Sequence, residues 1–511
     1  MQRFTCCLLA GLLGGLPCLP AGAQAQPAGP WPTQQWESSA PEEQGMDSRA
    51  LAALVDFGAA NEMDSLVVTR HGKLVAEAYY APFRAGLRHR INSATKGVVA
   101  ALTGIAIEQG RLKGTDQPVM ELFADRAIAN LDERKKAMTV QHLLDMTSGL
   151  DWTEPLSDAP PRSLIELERS ANWVQYVLDR PMAQAPGTGF NYNSGGPHLL
   201  TAILARQTGM DVQDFAARHL FKPLGISDIR WRHDPQGIAT GGLGLYLQTR
   251  DMAKLGYLYL RGGEWEGAQV VPRRWVERVY QARVPMNLSA AADWRYGDLW
   301  WTFPLRKAYM AVGYNRQIIL VMPQLGLVAA MTGRKNYPFG ALFDLMAQAA
   351  KSDQPLPPNP EAAALLARRI ADVADEKPSA AAAAPALAER ISGKTYRLAP
   401  NELGIKELTL HLSGQPSYDI VSYAARGSSE TKTTTRPLGM DGRFSRLDPA
   451  AGDLVVSKAS WTGPDTLSVT ERWLEEAGTG NYVLQFTGSK VAIRYTDGLG
   501  RGGSLTGEAS N

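Results

Sequence analysis

Apolar positions recur along this chain at two periods, and the switch between them divides it into parts. Behind Asp47-Ser48, the residues Leu51, Leu54, Val55 and Ala59 fall at helical spacing, which predicts a capped amphipathic helix. Leu66-Val67-Val68 and Leu74-Val75-Ala76 then flank His71-Gly72, a hairpin with that pair as its turn. Next, Val98, Val99, Ala100, Ala101, Leu102, Ile105, Ala106 and Ile107 make a helix that is apolar nearly all round, with Gly110 as its stop. Such a helix belongs in the middle of a domain. Met138 to Leu150 reads as a capped helix stopped by Gly149. Residues 186–196 hold too much Gly and Asn for a helix or a central strand, so they predict a loop that opens a helix around Leu199 and Leu200. Gly241-Gly242-Leu243-Gly244 leads in the same way into a helix from Asp251 to Leu260.

From Tyr296 the pattern is that of strands: Leu299 to Phe303, Ala308 to Val312, Gln317 to Met322 and Leu327 to Thr332, with Pro323 and Gly326 marking a turn, before a helix from Leu342 to Ala350. Helix, hairpin, helical insert, meander and helix together predict an α+β fold, an antiparallel sheet flanked by its terminal helices plus an all-helical lobe, over residues 36–352. Residues 353–390 are rich in Pro and Ala and read as a linker with a short helix at Ala362 to Val373. Over 391–511 the residues alternate, as in Leu408-Thr409-Leu410-His411-Leu412 and Tyr482-Val483-Leu484-Gln485-Phe486, which predicts a small antiparallel β domain, sandwich or barrel.

Composition narrows the function classes. With 53 Lys and Arg against 51 Asp and Glu and no long basic run, a nucleic-acid partner is not expected. Residues 1–25 have the form of a leader: Arg3, an apolar run from Cys6 through Leu19, then Ala21-Gly22-Ala23 and Ala23-Gln24-Ala25 as cleavage sites. Export to the periplasm or medium follows as the expectation, and no later stretch is long enough for a transmembrane anchor. Cys6, Cys7 and Cys18 all lie in that leader, so the mature chain is expected to have no disulfide, thiol nucleophile or Cys-based zinc site.

The chemistry concentrates at Ser93-Ala94-Thr95-Lys96, a hydroxyl and an amine one turn apart at the head of the buried helix. A Ser and a Lys at this spacing are expected about once or twice by chance in such a chain, and Ser429-Glu430-Thr431-Lys432 is a second copy in a polar, turn-like run. Context separates them. A serine hydroxyl is a weak nucleophile without a base, and a lysine desolvated at a helix N-terminus has its pKa lowered toward that task. His71 and His142 read as turn and helix residues. No H-E-x-x-H or G-x-S-x-G occurs, and Gly393-Lys394-Thr395 lacks the P-loop glycine because position 388 is Ala388, so zinc, α/β-hydrolase and nucleotide chemistry fall away and no cofactor is expected.

Several ordered segments resemble the class C β-lactamase and penicillin-binding serine hydrolases, a group that includes esterases, D-aminopeptidases and 6-aminohexanoate-dimer hydrolases. Ser93 to Lys96 matches the nucleophile motif, Met146-Thr147-Ser148-Gly149-Leu150 a landmark, and Pro186-Gly187-Thr188 the segment before the tyrosine loop; Thr249-Arg250-Asp251-Met252-Ala253 and Tyr296-Gly297-Asp298-Leu299-Trp300-Trp301 resemble later segments. The resemblance spans roughly residues 36–351. It implies Ser93 as nucleophile with Lys96 and Tyr192 exchanging protons, and an oxyanion site from the Ser93 backbone N–H and one near Tyr314 or Asn315. An ammonium beside Tyr192 favours phenolate, so the two are expected to titrate as a pair.

Two departures stand out. The family's Tyr-x-Asn is Tyr192-Asn193-Ser194 here, placing the Ser194 hydroxyl where an amide often positions substrate. The Lys-Thr-Gly of the third motif is replaced by Ala311-Val312-Gly313 followed by Tyr314-Asn315-Arg316-Gln317, which disfavours β-lactam hydrolysis unless Arg316 supplies the charge. The expected activity is cleavage of an ester or amide, on a short peptide-like or oligoamide substrate; the alternative is a catalytically weak or silent binder of cell-envelope ligands. Oligomeric state stays open.

Overall fold

The computed structural model describes residues 31–511 apart from 158, 282, 287, 289–292, 380–383, 425–427, 448–453, 498–500 and 511, so the leader predicted over 1–25 lies outside the described residues. The first helix, α1 (Ser48–Ala60), starts where its cap predicts, with the Asp47 carboxylate accepting from the Arg49 and Ala50 amides at 2.8 and 3.3 Å. β1 (Met63–Arg70) and β2 (Lys73–Tyr79) follow as a hairpin. His71 and Gly72 both adopt positive φ, 52° and 80°, the turn whose twist suits a two-residue connection.

The helix after them, α2 (Thr95–Glu108), is buried almost throughout, and the chain then enters the helical lobe. Within it the stretch predicted as one helix from Met138 to Leu150 is helical only over Val140–Leu144, because Met146 and Gly149 take left-handed φ of 56° and 77°. His142 has the structural part expected of it, its Nδ1 accepting from the Thr139 amide at 3.0 Å. The 186–196 loop gives way to α3 (Gly195–Thr208), and α4 (Thr249–Leu260) leads back to the sheet.

β3 (Val284–Pro285), β4 (Arg295–Gly297), β5 (Trp300–Phe303), β6 (Ala308–Gly313), β7 (Gln317–Met322) and β8 (Leu327–Gly333) complete an eight-stranded antiparallel sheet in the order β2-β1-β8-β7-β6-β5-β4-β3. β1, β6, β7 and β8 bury every residue, as strands covered on both faces must. Ala311, Ile319, Val321 and Val328 lie under α2 and α4, where Gly97 and Gly256 let the helices approach, while Trp301 and Phe303 face α5 (Phe339–Ala349) on the other side. The stretch expected as a linker contains α6 (Pro360–Ala374), which packs on α1 and β2. A helix of this length is marginal alone in water, and burying Leu366 contributes about 1.5–3 kcal/mol to its docking, with Leu365, Ile370 and Val373 packed beside it.

The C-terminal part is one nine-stranded antiparallel sheet: β9 (Thr395–Leu398), β10 (Ile405–His411), β11 (Ser417–Tyr423), β12 (Thr431–Pro437), β13 (Val455–Trp461), β14 (Thr466–Trp473), β15 (Gly478–Thr487), β16 (Lys490–Asp497) and β17 (Gly502–Ala509), in the order β12-β11-β10-β9-β17-β16-β15-β14-β13. Its ends meet where Gly439 donates to the Ser457 carbonyl and accepts from the Ala459 amide, so the sheet closes on itself like a barrel. Leu467, Val469, Leu484, Phe486, Val491 and Ile493 point inside. Among the described residues no helix is long and apolar enough to cross a membrane.

Candidate active site

Ser93 stands in a short 3₁₀ turn, Asn92–Ala94, that feeds directly into α2, and Lys96 is the second residue of that helix. The turn is tied at both ends: Thr95 Oγ1 donates to the Asn92 carbonyl at 2.6 Å and accepts from the Leu245 amide at 3.3 Å. One helical turn brings the two side chains to the same face, and Lys96 Nζ donates to Ser93 Oγ at 2.9 Å. It also donates to Ser194 Oγ at 2.9 Å and to the Gly242 carbonyl at 2.7 Å. Three donors thus meet three acceptors, as an ammonium requires. A Cβ at Gly242 would stand 2.7 Å from the Ser194 carbonyl and one at Gly241 1.9 Å from that of Pro197, so this backbone reaches the amine only without side chains. Lys96 is 1% exposed, and burial lowers its pKa to about 8.

Behind the amine lies a carboxylate. Glu154 accepts from Ser194 Oγ at 2.6 Å, from the Ser194 amide at 2.7 Å and from Trp152 Nε1 at 2.8 Å, and it is itself buried. Ser93, Lys96, Ser194 and Glu154 therefore form one continuous hydrogen-bonded row. Ser194 spends its hydroxyl inside this row, whereas Asn193, the neighbouring amide, caps α3 by accepting from the Gly196 amide at 2.9 Å. Tyr192 packs beside the row with its ring face 4.8 Å from Lys96 Nζ and with Tyr296 and Trp301 around it. Burial first and the Glu154 charge second push its pKa well above the usual phenol range, while the Ser93 hydroxyl nearby pulls the other way. Burial thus moves the two groups in opposite senses, the lysine toward its neutral amine and the tyrosine toward its neutral phenol.

The third wall is the β6–β7 hairpin. Gly313 ends β6 against the segment before Ser93, where a Cβ would stand 2.3 Å from the Ile91 carbonyl. Asn92 Nδ2 donates to the Tyr314 carbonyl at 3.0 Å, so the backbones of Ser93 and Tyr314 are neighbours. Tyr314 exposes its ring at the surface, and Asn315 is buried with a left-handed φ of 60° and its carbonyl accepting from Gln317 Nε2. Arg316 turns away from the role considered for it: Nε donates to the Tyr337 carbonyl at 2.6 Å and the guanidinium lies 4.0 Å from the centre of the Phe339 ring. Burial lowers its pKa to about 10. Among the described residues no group of three or more His, Cys, Asp or Glu side chains is arranged to hold a metal ion.

The family model for Beta-lactamase matches residues 44–351, from just before α1 to just past α5. The chain belongs to the beta-lactamase family. A 6-aminohexanoate-dimer hydrolase of Paenarthrobacter ureafaciens is 29% identical over 255 residues, covering 47% of this chain and 64% of that protein, so the chain spans a little under two thirds of that relative. Among solved structures, a Bacillus anthracis protein proposed to be a 6-aminohexanoate-dimer hydrolase has a TM-score of 0.50 at 20% identity, covering 67% of this chain and 88% of its own. EstCE1, a hydrolase with promiscuous acyltransferase activity, also gives 0.50, at 17% identity, covering 60% of this chain and 99% of its own. At such identities these structures show the beta-lactamase-like fold. Glu154 is the member of the site that sequence reasoning missed. The Trp152-x-Glu154 spacing carries no helical or strand signal, and 40 positions separate Glu154 from the serine it holds.

Proposed function

We propose that this protein is an exported serine hydrolase that cleaves an ester or amide through an acyl-enzyme on Ser93, with a short peptide-like or oligoamide chain as substrate. The observation that carries this reading is the desolvated Lys96 amine 2.9 Å from Ser93 Oγ. With a pKa of about 8, roughly one molecule in ten holds the neutral amine at pH 7. That amine takes the Ser93 proton as Oγ bonds to the acyl carbon; the oxyanion is held by the N–H groups of Ser93 and Tyr314. The resulting ammonium stays satisfied by Ser194 and Gly242, and Glu154 behind Ser194 offsets its charge. Tyr192, a neutral phenol, passes a proton to the leaving alcohol or amine and is reprotonated from Lys96. Water attacks the acyl-enzyme by the reverse path, returning the proton to Ser93 and releasing the acid.

Export rests on the leader pattern of residues 1–25. The engagement of Arg316 with Tyr337 and Phe339 supports ester or amide cleavage over β-lactam hydrolysis, and the completed contacts of Lys96 favour turnover over silent binding. A panel of chromogenic short-chain esters, aminohexanoate oligomers and a chromogenic β-lactam, combined with fluorophosphonate labelling, tests the reading. Ester or oligoamide turnover with label on Ser93 is expected; absence of label from the native protein, or equal label on Ser93→Ala, overturns it.

A further inference from the structure

The segment that delivers Ser93 is held from outside the hydrolase fold. His89–Arg90 pairs with Leu245–Leu247, which pairs in turn with Arg230–Trp231, a three-stranded sheet that ends at the nucleophile turn. The Arg90 amide donates at 2.7 Å to the carbonyl of Glu475, in the turn after β14 of the C-terminal domain. The side chains of that turn span the whole small sheet. Glu475 accepts from Arg88 Nε at 2.8 Å and pairs with Arg230 at 3.1 Å, and Glu476 accepts from Arg90 at 3.2 Å and from the Tyr246 hydroxyl. Beneath it, Leu474 and Val456 pack with Phe83, whose ring meets His89 at 5.7 Å.

A buried hub locks the same place from the other side. Asp64, at the start of β1, is 1% exposed and accepts from His89 Nε2 at 3.2 Å, Arg334 Nε at 3.1 Å and Arg472 at 2.7 Å. Arg472 comes from β14, three residues before Glu475, and is itself buried. A desolvated carboxylate is tolerable only with such partners. The C-terminal domain therefore completes the seat of the residues at 88–91, from which Ile91 donates to the Leu245 carbonyl and the chain turns into Ser93.

We propose that Glu475 and Glu476 are positioning residues for Ser93: the β domain fixes the strand that leads into the nucleophile and so sets the rate of acylation from behind the site. This rests on the hydrolase reading of Ser93. A cap over the substrate cleft changes KM, whereas a brace of the nucleophile turn changes the chemical step.

The test uses the full chain with Glu475→Ala/Glu476→Ala, the conservative Glu475→Gln/Glu476→Gln, and Asp419→Ala, which breaks the pair with His411 elsewhere in the same domain. Fluorophosphonate labelling rate, kcat and KM for an ester, and amide exchange over residues 88–94 are measured. The alanine pair is expected to lower labelling and kcat about tenfold with KM within about twofold, a loss of about 1.4 kcal/mol in the chemical step, and to speed exchange at Arg90. Glutamine, which still accepts hydrogen bonds, recovers part of the loss; Asp419→Ala changes nothing. Equal labelling and exchange in the alanine pair, a change in KM alone, or a matching loss in Asp419→Ala overturns the proposal. Where the alanine pair does not fold, the glutamine pair decides by the same criteria. Absence of label from the native protein overturns the hydrolase reading, and exchange at Arg90 still decides whether the brace exists.

Discussion

The chain carries the same tetrapeptide pattern twice, and the two copies have opposite fates. Ser93 and Lys96 sit one helical turn apart, the lysine sealed under α3 and the Gly241-Gly242 backbone, with their side chains in contact. Ser429 lies exposed in a bend two residues before β12, and Lys432 is the exposed second residue of that strand. No helical turn aligns the two side chains there and both stand open to water, so the second pair lacks the two features that bring the first together. The proposed chemistry thus depends on a helix that aligns the pair and on burial that lowers the amine's pKa.

Five experiments break or sharpen that contrast. Ser93→Ala removes the proposed nucleophile and is expected to lower ester kcat by about 10⁴-fold or more, read by a chromogenic assay. Lys96→Met keeps much of the buried volume but deletes the proposed base, with an expected loss of about 10²–10⁴-fold and no loss of fold by circular dichroism. In the proposed mechanism the neutral amine is the working form, so kcat/KM of the native protein should fall tenfold for each pH unit below about 8 and level off above it. The Glu154 carboxylate raises the lysine pKa, so Glu154→Gln should move that rising limb to lower pH while costing about tenfold in kcat, the size of a lost charge-assisted hydrogen bond. Ser429→Ala and Lys432→Ala are expected to leave kcat unchanged and stability within about 0.5 kcal/mol by thermal melting.

Much of this architecture is written in local pattern. Gln317 to Met322 reads as a strand to the residue, and its neighbours within one or two, because fully buried strands bounded by Pro and Gly have unmistakable limits. The helix at Met138 to Leu150 is overestimated because the break falls at Met146, a residue with no sequence cue for left-handed φ. Ser93 and Lys96 are legible because their partnership is three residues long. Glu154 and the Glu475-Glu476 turn are not, since the fold brings them in from 40 and 387 positions away and each on its own looks like an ordinary surface carboxylate. The Pro and Ala-rich stretch after 352 reads as linker by composition, yet Ala362 and Leu366 provide just enough apolar face to dock α6.

The place of β1 in the sheet has a consequence for how the molecule comes into being. Val67 pairs with Ala330, about 260 residues further on, and every ladder that closes the sheet's two halves runs through β1 and β8. During synthesis the β1–β2 hairpin is made early, all but complete in its own hydrogen bonds on one side and open on the other, and it must wait for its permanent neighbour while the whole helical lobe emerges. That open, apolar edge is where a stalled or shortened chain would stick to others. A chain ending before Leu327 should accumulate as aggregate rather than as a smaller soluble protein, whereas one ending after α6 keeps the ladder intact.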